Sequence, residues 1–224
     1  MDCGEGTTQN LLKIDMIQNI TTICITHLHN DHFMGIFSLL WYYWINERKE
    51  TLKIIGPADT KSTIEKILDL IHTPERMKSF EIEYLPLKDI IEIQSIEEEN
   101  YTIKAIKTSH LDPTFALRVE ENGKSVCYSG DTKPIQGLIT FFDNCNLLIH
   151  ESTFPDEFQN LAHQLYHSTP HDIADIANKS NCINIALIHI SPTFHEQIDK
   201  FYTQVRKHFT GTIFIPDDLS MLEI

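Results

Sequence analysis

No apolar run in the 224 residues approaches the roughly 18 that a membrane-spanning helix needs. The first residues carry neither the basic nor the apolar region of a secretory signal, so a cytoplasmic protein is expected. There is no Cys-x-x-Cys pair. The five cysteines, Cys3, Cys24, Cys127, Cys145 and Cys182, are odd in number and widely spaced, which gives no sign of a disulfide framework or a zinc ribbon and suits reduced core thiols. No internal repeat, low-complexity segment or linker interrupts residues 1–224, so a single domain is expected. Cations are scarce, with 18 Lys and Arg against 32 Asp and Glu and a formal charge of -14. Such a surface repels phosphate on average and leans towards a small substrate, because sequence-independent nucleic-acid affinity comes from Lys and Arg neutralising phosphates. Lys61, Lys66, Lys200, Arg206 and Lys207 could line a local basic groove, although each also fits a solvated helix face.

Against these absences stands a concentration of metal-ligating side chains in THLHNDHFMG, residues 26–35. His27, His29, Asp31 and His32 follow the β-branched apolar run 20–26, just beyond the end of a predicted buried strand. At i and i+2 on extended chain, His27 and His29 can point the same way and share one ion. Asp31 and His32, past the bend, can reach a second. Completing two ligand sets takes single residues from distant strand ends, and His110 in TSHLDP, Asp131 in YSGDTKP and His189 in LIHISP stand there. A carboxylate at 131 can bridge both ions.

The rest of the chain alternates helix and strand, which predicts an α/β layered domain with the site at one sheet edge. DCGEGTTQ (2–9) leads into a short apolar face of Leu11, Leu12 and Ile14, and 33–45 reads as a nearly all-apolar helix. Strands are expected at 52–55, 81–85, 90–93, 147–150 and 185–189, and a strand-rich block over 101–128 turns at Asn122-Gly123. Helices are expected with Ile64, Ile67, Leu68 and Ile71 on one face, near 135–142, within 167–177 and over 196–208, with closing strands at 212–215 and 221–224. The glutamates at 97–99 read as a solvated turn.

DCGEGTTQ, HLHNDH, YSGDTKP, HESTF (150–154), HST (167–169) and HISP (189–192) occur in the order and approximate spacing of the metallo-β-lactamase superfamily, and the chain resembles its ribonuclease Z (tRNase Z) group. HxHxDH is shared across the superfamily; HESTF with HST and SGDT is far more specific. The resemblance implies a four-layer αββα sandwich and a zinc-dependent phosphodiesterase cutting RNA at tRNA 3′ ends. It gives His27, His29 and His110 to one zinc, Asp31, His32 and His189 to the other, and Asp131 to both. Manganese or iron could occupy the same set. The ions would sit about 3.5–4 Å apart, and a bridging water would ionise near pH 7 instead of 15.7. Asp31 would orient or deprotonate that nucleophile, and His167, held by Glu151, would protonate the leaving oxygen. His150 is expected beside the ligands, and His72, His163, His171, His195 and His208 at the surface.

Two departures from the group bear on the substrate. The long tRNA-gripping arm normally lies between the counterparts of His110 and Asp131, where this chain has only twenty residues, barely a hairpin. The strands that usually precede DCGEG are also missing, so an N-terminally truncated fold, and a homodimer that covers the exposed sheet face, are expected. Lys133 replaces the usual arginine and loses a bidentate fork. The readings are thus precursor-tRNA processing, hydrolysis of a small cyclic nucleotide by the same site, and a non-catalytic remnant of the fold.

Overall fold

The computed structural model describes residues 1–111 and 113–223, apart from the side chain of Arg76. The chain forms two compact units, Met1–Asp89 and Ile90–Ile224, and both are α/β.

The first unit is built on a three-stranded parallel sheet, β1 (Thr22–Cys24), β2 (Leu52–Pro57) and β3 (Ile82–Leu87). Ile23 pairs with Ile54, and Ile54 with Tyr84. Parallel strands need crossovers, and helices supply them. They are α1 (Thr7–Lys13), α2 (Asn30–Phe33), α3 (Gly35–Ile45) and α4 (Thr60–Leu70), so the predicted helix at 33–45 is broken at Met34. The apolar run of α3 buries Ile36, Leu39, Leu40, Tyr43 and Trp44 against Ile23, Ile54 and Leu52. Burial pushes the Tyr43 phenol up to about 12, and its hydroxyl donates to the Ile17 carbonyl at 2.6 Å. Ile64 and Leu68 of α4 face this core, but Ile71 lies past the helix end and is exposed. Leu12 and Ile14 are exposed as well, so the apolar face expected after DCGEGTTQ reduces to the half-buried Leu11.

Two glycines join DCG to the histidine motif. A Cβ on Gly4 would lie 1.8 Å from the Asp31 carbonyl oxygen, and one on Gly35 would lie 1.8 Å from the Gly4 carbonyl oxygen. Only bare backbone fits at either position.

The second unit holds a seven-stranded sheet in the order β10-β9-β8-β7-β6-β5-β4. The strands are β4 (Gln94–Glu97), β5 (Thr102–Lys107), β6 (Phe115–Glu121), β7 (Lys124–Tyr128), β8 (Leu147–Glu151), β9 (Asn184–Ile188) and β10 (Thr212–Phe214). Strands β4 to β7 pair antiparallel, β7 to β10 parallel. Asn122 and Gly123 both have positive φ, 49° and 74°, which gives β6 and β7 the tight hairpin expected of that pair. That hairpin fills most of the segment between His110 and Asp131.

The strand expected at 90–93 is an exposed bend, because the pairing of Gln94 with Ala105 starts β4 later, at residues that alternate between sheltered and exposed. Residues 221–223 are not strand, and Ile224 lies outside the described residues. Helices α5 (Gln136–Phe141), α6 (Gln159–Gln164), α7 (Pro170–Lys179) and α8 (Ile198–Arg206) complete the unit. Phe142, Ile173, Phe201 and Val205 pack over Leu148, Ile185 and Leu187. HSTPHD starts α7 by its own chemistry: Thr169 and Asp172 cap reciprocally, and Pro170 takes the first helical turn, where no N–H is needed.

All five cysteines are buried free thiols. Among the described residues no helix is long and apolar enough to cross a membrane.

Gly35→Ala is expected to cost about 3 kcal/mol or more, because backbone cannot retreat from the added methyl group. Gly137→Ala is the control: a Cβ there meets only Ile106 Cδ1, at 3.6 Å. It should shift stability by less than about 1 kcal/mol in urea denaturation.

Candidate metal centre

In each unit the ligand-type side chains stand where parallel strands end. β1 runs into Thr26 and His27. In the second unit β5, β7, β8 and β9 all point the same way, since two antiparallel steps separate β5 from β7. Their carboxyl ends deliver His110, Asp131, Glu151 and His189 to one sheet edge, where open α/β sheets bind ligands.

In the first unit three imidazoles cluster. The His27 ring lies 4.5 Å from that of His29 and 4.2 Å from that of His32. His27 and His32 are buried, whereas the Asp31 side chain is 63% exposed, with Oδ2 3.5 Å from His32 Nε2. Asp2 organises the cluster. Its main-chain N–H donates to the Cys24 carbonyl at 2.7 Å, and its φ of 55° turns the carboxylate under the motif. Oδ1 accepts the Thr26 N–H at 2.7 Å, and Oδ2 lies 2.7 Å from His32 Nδ1 and 3.0 Å from Thr26 Oγ1. Thr26 Oγ1 in turn lies 3.0 Å from His27 Nδ1.

In the second unit Asp131 is 3% exposed, with Oδ2 3.9 Å from His110 Nε2 and 3.6 Å from His189 Nε2. Ligand atoms of Asp131, His167 and His189 all lie within 4.8 Å of one another. Glu151, fully buried, holds His167: Oε1 accepts from Nδ1 at 2.9 Å and from the Thr132 N–H at 3.0 Å. Oε2 accepts from the hydroxyl and the N–H of Thr153 at 2.8 and 3.2 Å. Thr153 Oγ1 also lies 3.0 Å from His189 Nδ1 and 3.2 Å from His167 Nδ1. His110 Nδ1 donates to the Tyr166 carbonyl at 3.3 Å, and the His189 ring stacks on that of His167 at 5.7 Å. Lys133 stands over the Tyr166 ring, 4.9 Å from its centroid.

His150 is fully buried beside these groups and donates Nδ1–H to the Glu151 carbonyl at 2.8 Å; burial holds its pKa below the ordinary imidazole value. His72, His171, His195 and His208 are exposed, while His163 is half-buried and ties α6 to Asp172 at 2.9 Å.

The donor chemistry fits divalent metal. Two ligand atoms about 2.1 Å from one ion, set tetrahedrally, are about 3.4 Å apart. The separations of 3.6 and 3.9 Å around Asp131 are close to this and too long for direct hydrogen bonds. The spacing of motifs gave no role to Asp2, Thr26, Thr132 or Thr153. DCG, the threonine before HLH and the threonine of HESTF were visible in the chain, but which group each hydroxyl or carboxylate meets is decided by folding.

This fold and this donor set define a class, and a family model described as a beta-lactamase superfamily domain matches residues 1–190. The chain belongs to that family and is a ribonuclease Z-like, metal-dependent hydrolase. Among its relatives is a ribonuclease Z of Picrophilus torridus, 28% identical over 87% of this chain and 77% of the relative. A ribonuclease Z of Methanosarcina mazei is 27% identical over 100% and 87%. The crystal structure of the short form of human tRNase Z aligns with a TM-score of 0.80 at 28% identity, covering all of this chain and 86% of that one. A metallo-β-lactamase fold protein of Bacillus subtilis, 22% identical with a TM-score of 0.80, shares the fold over 97% of this chain and 83% of its own.

Asp2→Ala removes the carboxylate beneath two imidazoles. It is expected to lower the stability of the metal-free protein by about 1–3 kcal/mol, since His32 Nδ1–H is then buried without its acceptor. Chemical denaturation at neutral pH measures the loss.

Proposed function

We propose that the protein is a dinuclear zinc phosphodiesterase that cleaves RNA at tRNA 3′ ends, the two units acting together as one metallo-β-lactamase domain. The observation that carries it is the cluster of Asp131, His167 and His189 with Glu151 behind His167. Relatives named ribonuclease Z supply the substrate class, RNA.

His27, His29 and His110 would hold one ion, Asp31, His32 and His189 the other, and Asp131 both. When bound, the metal pair supplies positive charge for the phosphate and a water acidic enough to ionise near neutral pH. Asp31, the exposed carboxylate of the set, orients the attacking water and takes up its proton. His167 gives a proton from Nε2 to the leaving oxygen, and Glu151 steadies the imidazolium while it carries the charge. Burial of Glu151 makes this pair directional, because the carboxylate has no water to turn to. The reading includes a cytoplasmic location and a homodimer, and sedimentation velocity tests the homodimer.

A second reading keeps this machinery and exchanges RNA for a 3′,5′-cyclic nucleotide. It is favoured by the short β6–β7 hairpin where the relatives' group carries its arm, and by the charge of -14. Zinc-loaded protein is offered a 3′-extended precursor tRNA and a cyclic nucleotide in parallel, with Asp131→Ala as control. Cleavage after the discriminator base supports the first reading, and turnover of the cyclic nucleotide alone moves the protein to the second. Metal analysis that finds no zinc in protein purified without chelator points to a non-catalytic remnant. Salt separates the two active readings again, since activity on RNA should fall steeply with ionic strength and activity on a small ester only slightly.

Asp131→Ala is expected to abolish activity and zinc retention together. His167→Ala should keep zinc and lose about 10²–10⁴-fold in turnover. Equal zinc loss in both variants, read by metal analysis, would show that His167 has been given the wrong role.

A further inference from the structure

The two units repeat one device. Each has a buried or nearly buried carboxylate that meets one imidazole directly and a second through a threonine hydroxyl. In the first unit the path is Asp2 to His32 and Asp2 to Thr26 to His27. In the second it is Glu151 to His167 and Glu151 to Thr153 to His189. All four imidazoles are engaged through Nδ1.

The chemistry of the partners fixes the protons. An ionised carboxylate only accepts, so His32 and His167 must donate Nδ1–H to Asp2 and Glu151. Each threonine has one hydroxyl proton, and the carboxylate oxygens at 3.0 Å (Asp2) and 2.8 Å (Glu151) claim it. If the hydroxyl donated to the imidazole instead, hydroxyl and carboxylate oxygens would face one another with no proton between them. The hydroxyl oxygen is then an acceptor towards His27 and His189, which must also carry Nδ1–H. All four side chains therefore place their basic lone pair on Nε2.

We propose that Thr26 and Thr153 are positioning residues that lock His27 and His189 in the Nδ1–H tautomer. Thr153 has the heavier duty, because its oxygen also lies 3.2 Å from His167 Nδ1. One hydroxyl thus aligns a proposed metal ligand and the proposed proton donor, consistent with the near-parallel stacking of their rings at 21°. A neutral histidine side chain in water has no fixed orientation and favours the Nε2–H tautomer, so without the hydroxyl the ligating form of His189 must be trapped by the metal itself. Outer partners of metal-ligating histidines typically change affinity 10–100-fold when removed. The ligand role rests on the hydrolase reading above, whereas the tautomer does not, and the two are measured separately.

The experiment uses the full chain labelled with ¹⁵N in histidine, metal-free at a pH where the imidazoles are neutral, and reads which ring nitrogen carries the proton. Wild type should show Nδ1–H at His27, His32, His167 and His189. Thr153→Val, nearly isosteric without the hydroxyl, should give His189 a substantial Nε2–H population while leaving His27 and His32 unchanged. Its zinc affinity should fall at least tenfold, and Thr153→Ser should restore both tautomer and affinity. Nε2–H at His189 or His27 in wild type overturns the proposal. So does a Thr153→Val variant that retains both the tautomer and wild-type zinc affinity. Should Thr153→Val not fold, the wild-type tautomers and Thr26→Val, read at His27, decide in its place. Loss of the locked tautomer with unchanged zinc affinity would keep the hydrogen-bond account and remove the ligand role of His189, which separates this inference from the functional reading.

Discussion

An imidazole presents one nitrogen in a fixed direction most firmly when its other nitrogen is held, and four histidines of the candidate site are held in that way. Asp2 and Glu151 do this by accepting from His32 and His167, and through Thr26 and Thr153 they reach His27 and His189. Burying a carboxylate is costly unless its lone pairs are filled. Here they are: Glu151 takes two side-chain donors and two main-chain N–H groups, from Thr132 and Thr153. The network that pays for burying the acid is also the one that aims the rings.

Sheet direction supplies the second constraint. A strand places a residue at its end with a fixed direction, and only strands running the same way place their ends together. In the second unit β5, β7, β8 and β9 satisfy this although β6 reverses between them. The loops at those ends are stitched laterally: the Ser109 N–H donates to Thr132 Oγ1, and Ser168 donates to the Thr132 carbonyl. In the first unit the corresponding economy is backbone contact, since Gly4 and Gly35 let DCG lie against the histidine motif with no side chain between. His189, directly after β9, takes a positive φ of 55°, a conformation that a continuing strand would not adopt, and Asp2 ahead of α1 takes the same φ.

Much of the α/β order was legible before folding. Long periodic stretches such as the apolar run of α3 and strands β8 and β9 were placed within a few residues, because their pattern reflects burial that tertiary packing retains. Local apolar content failed where it was not periodic. Ile90, Ile91 and Ile93 resemble a strand yet lie exposed, and Ile71 and Leu12 continue an apolar face beyond the point where the core ends. Among the candidate site residues, those whose own side chains offer ligand atoms stood out by type and spacing. Of those that work through hydrogen bonds to another residue, Glu151 was reached only through the resemblance, and Asp2, Thr26 and Thr153 were not reached, since Asp and Thr are common and their partners lie up to 36 positions away, as for Thr153 and His189.

The amino-acid sequence by itself determined the donor set: histidines and acids in a fixed order at the ends of apolar runs suit divalent metal, and HESTF and HST carry the resemblance to one group of the family. It also determined the short connection between His110 and Asp131, which is simply a count of residues. Only the tertiary structure decided which nitrogen of each imidazole is held and by what. That depends on angles and distances of a few tenths of an ångström between groups from different elements, and no local propensity encodes them.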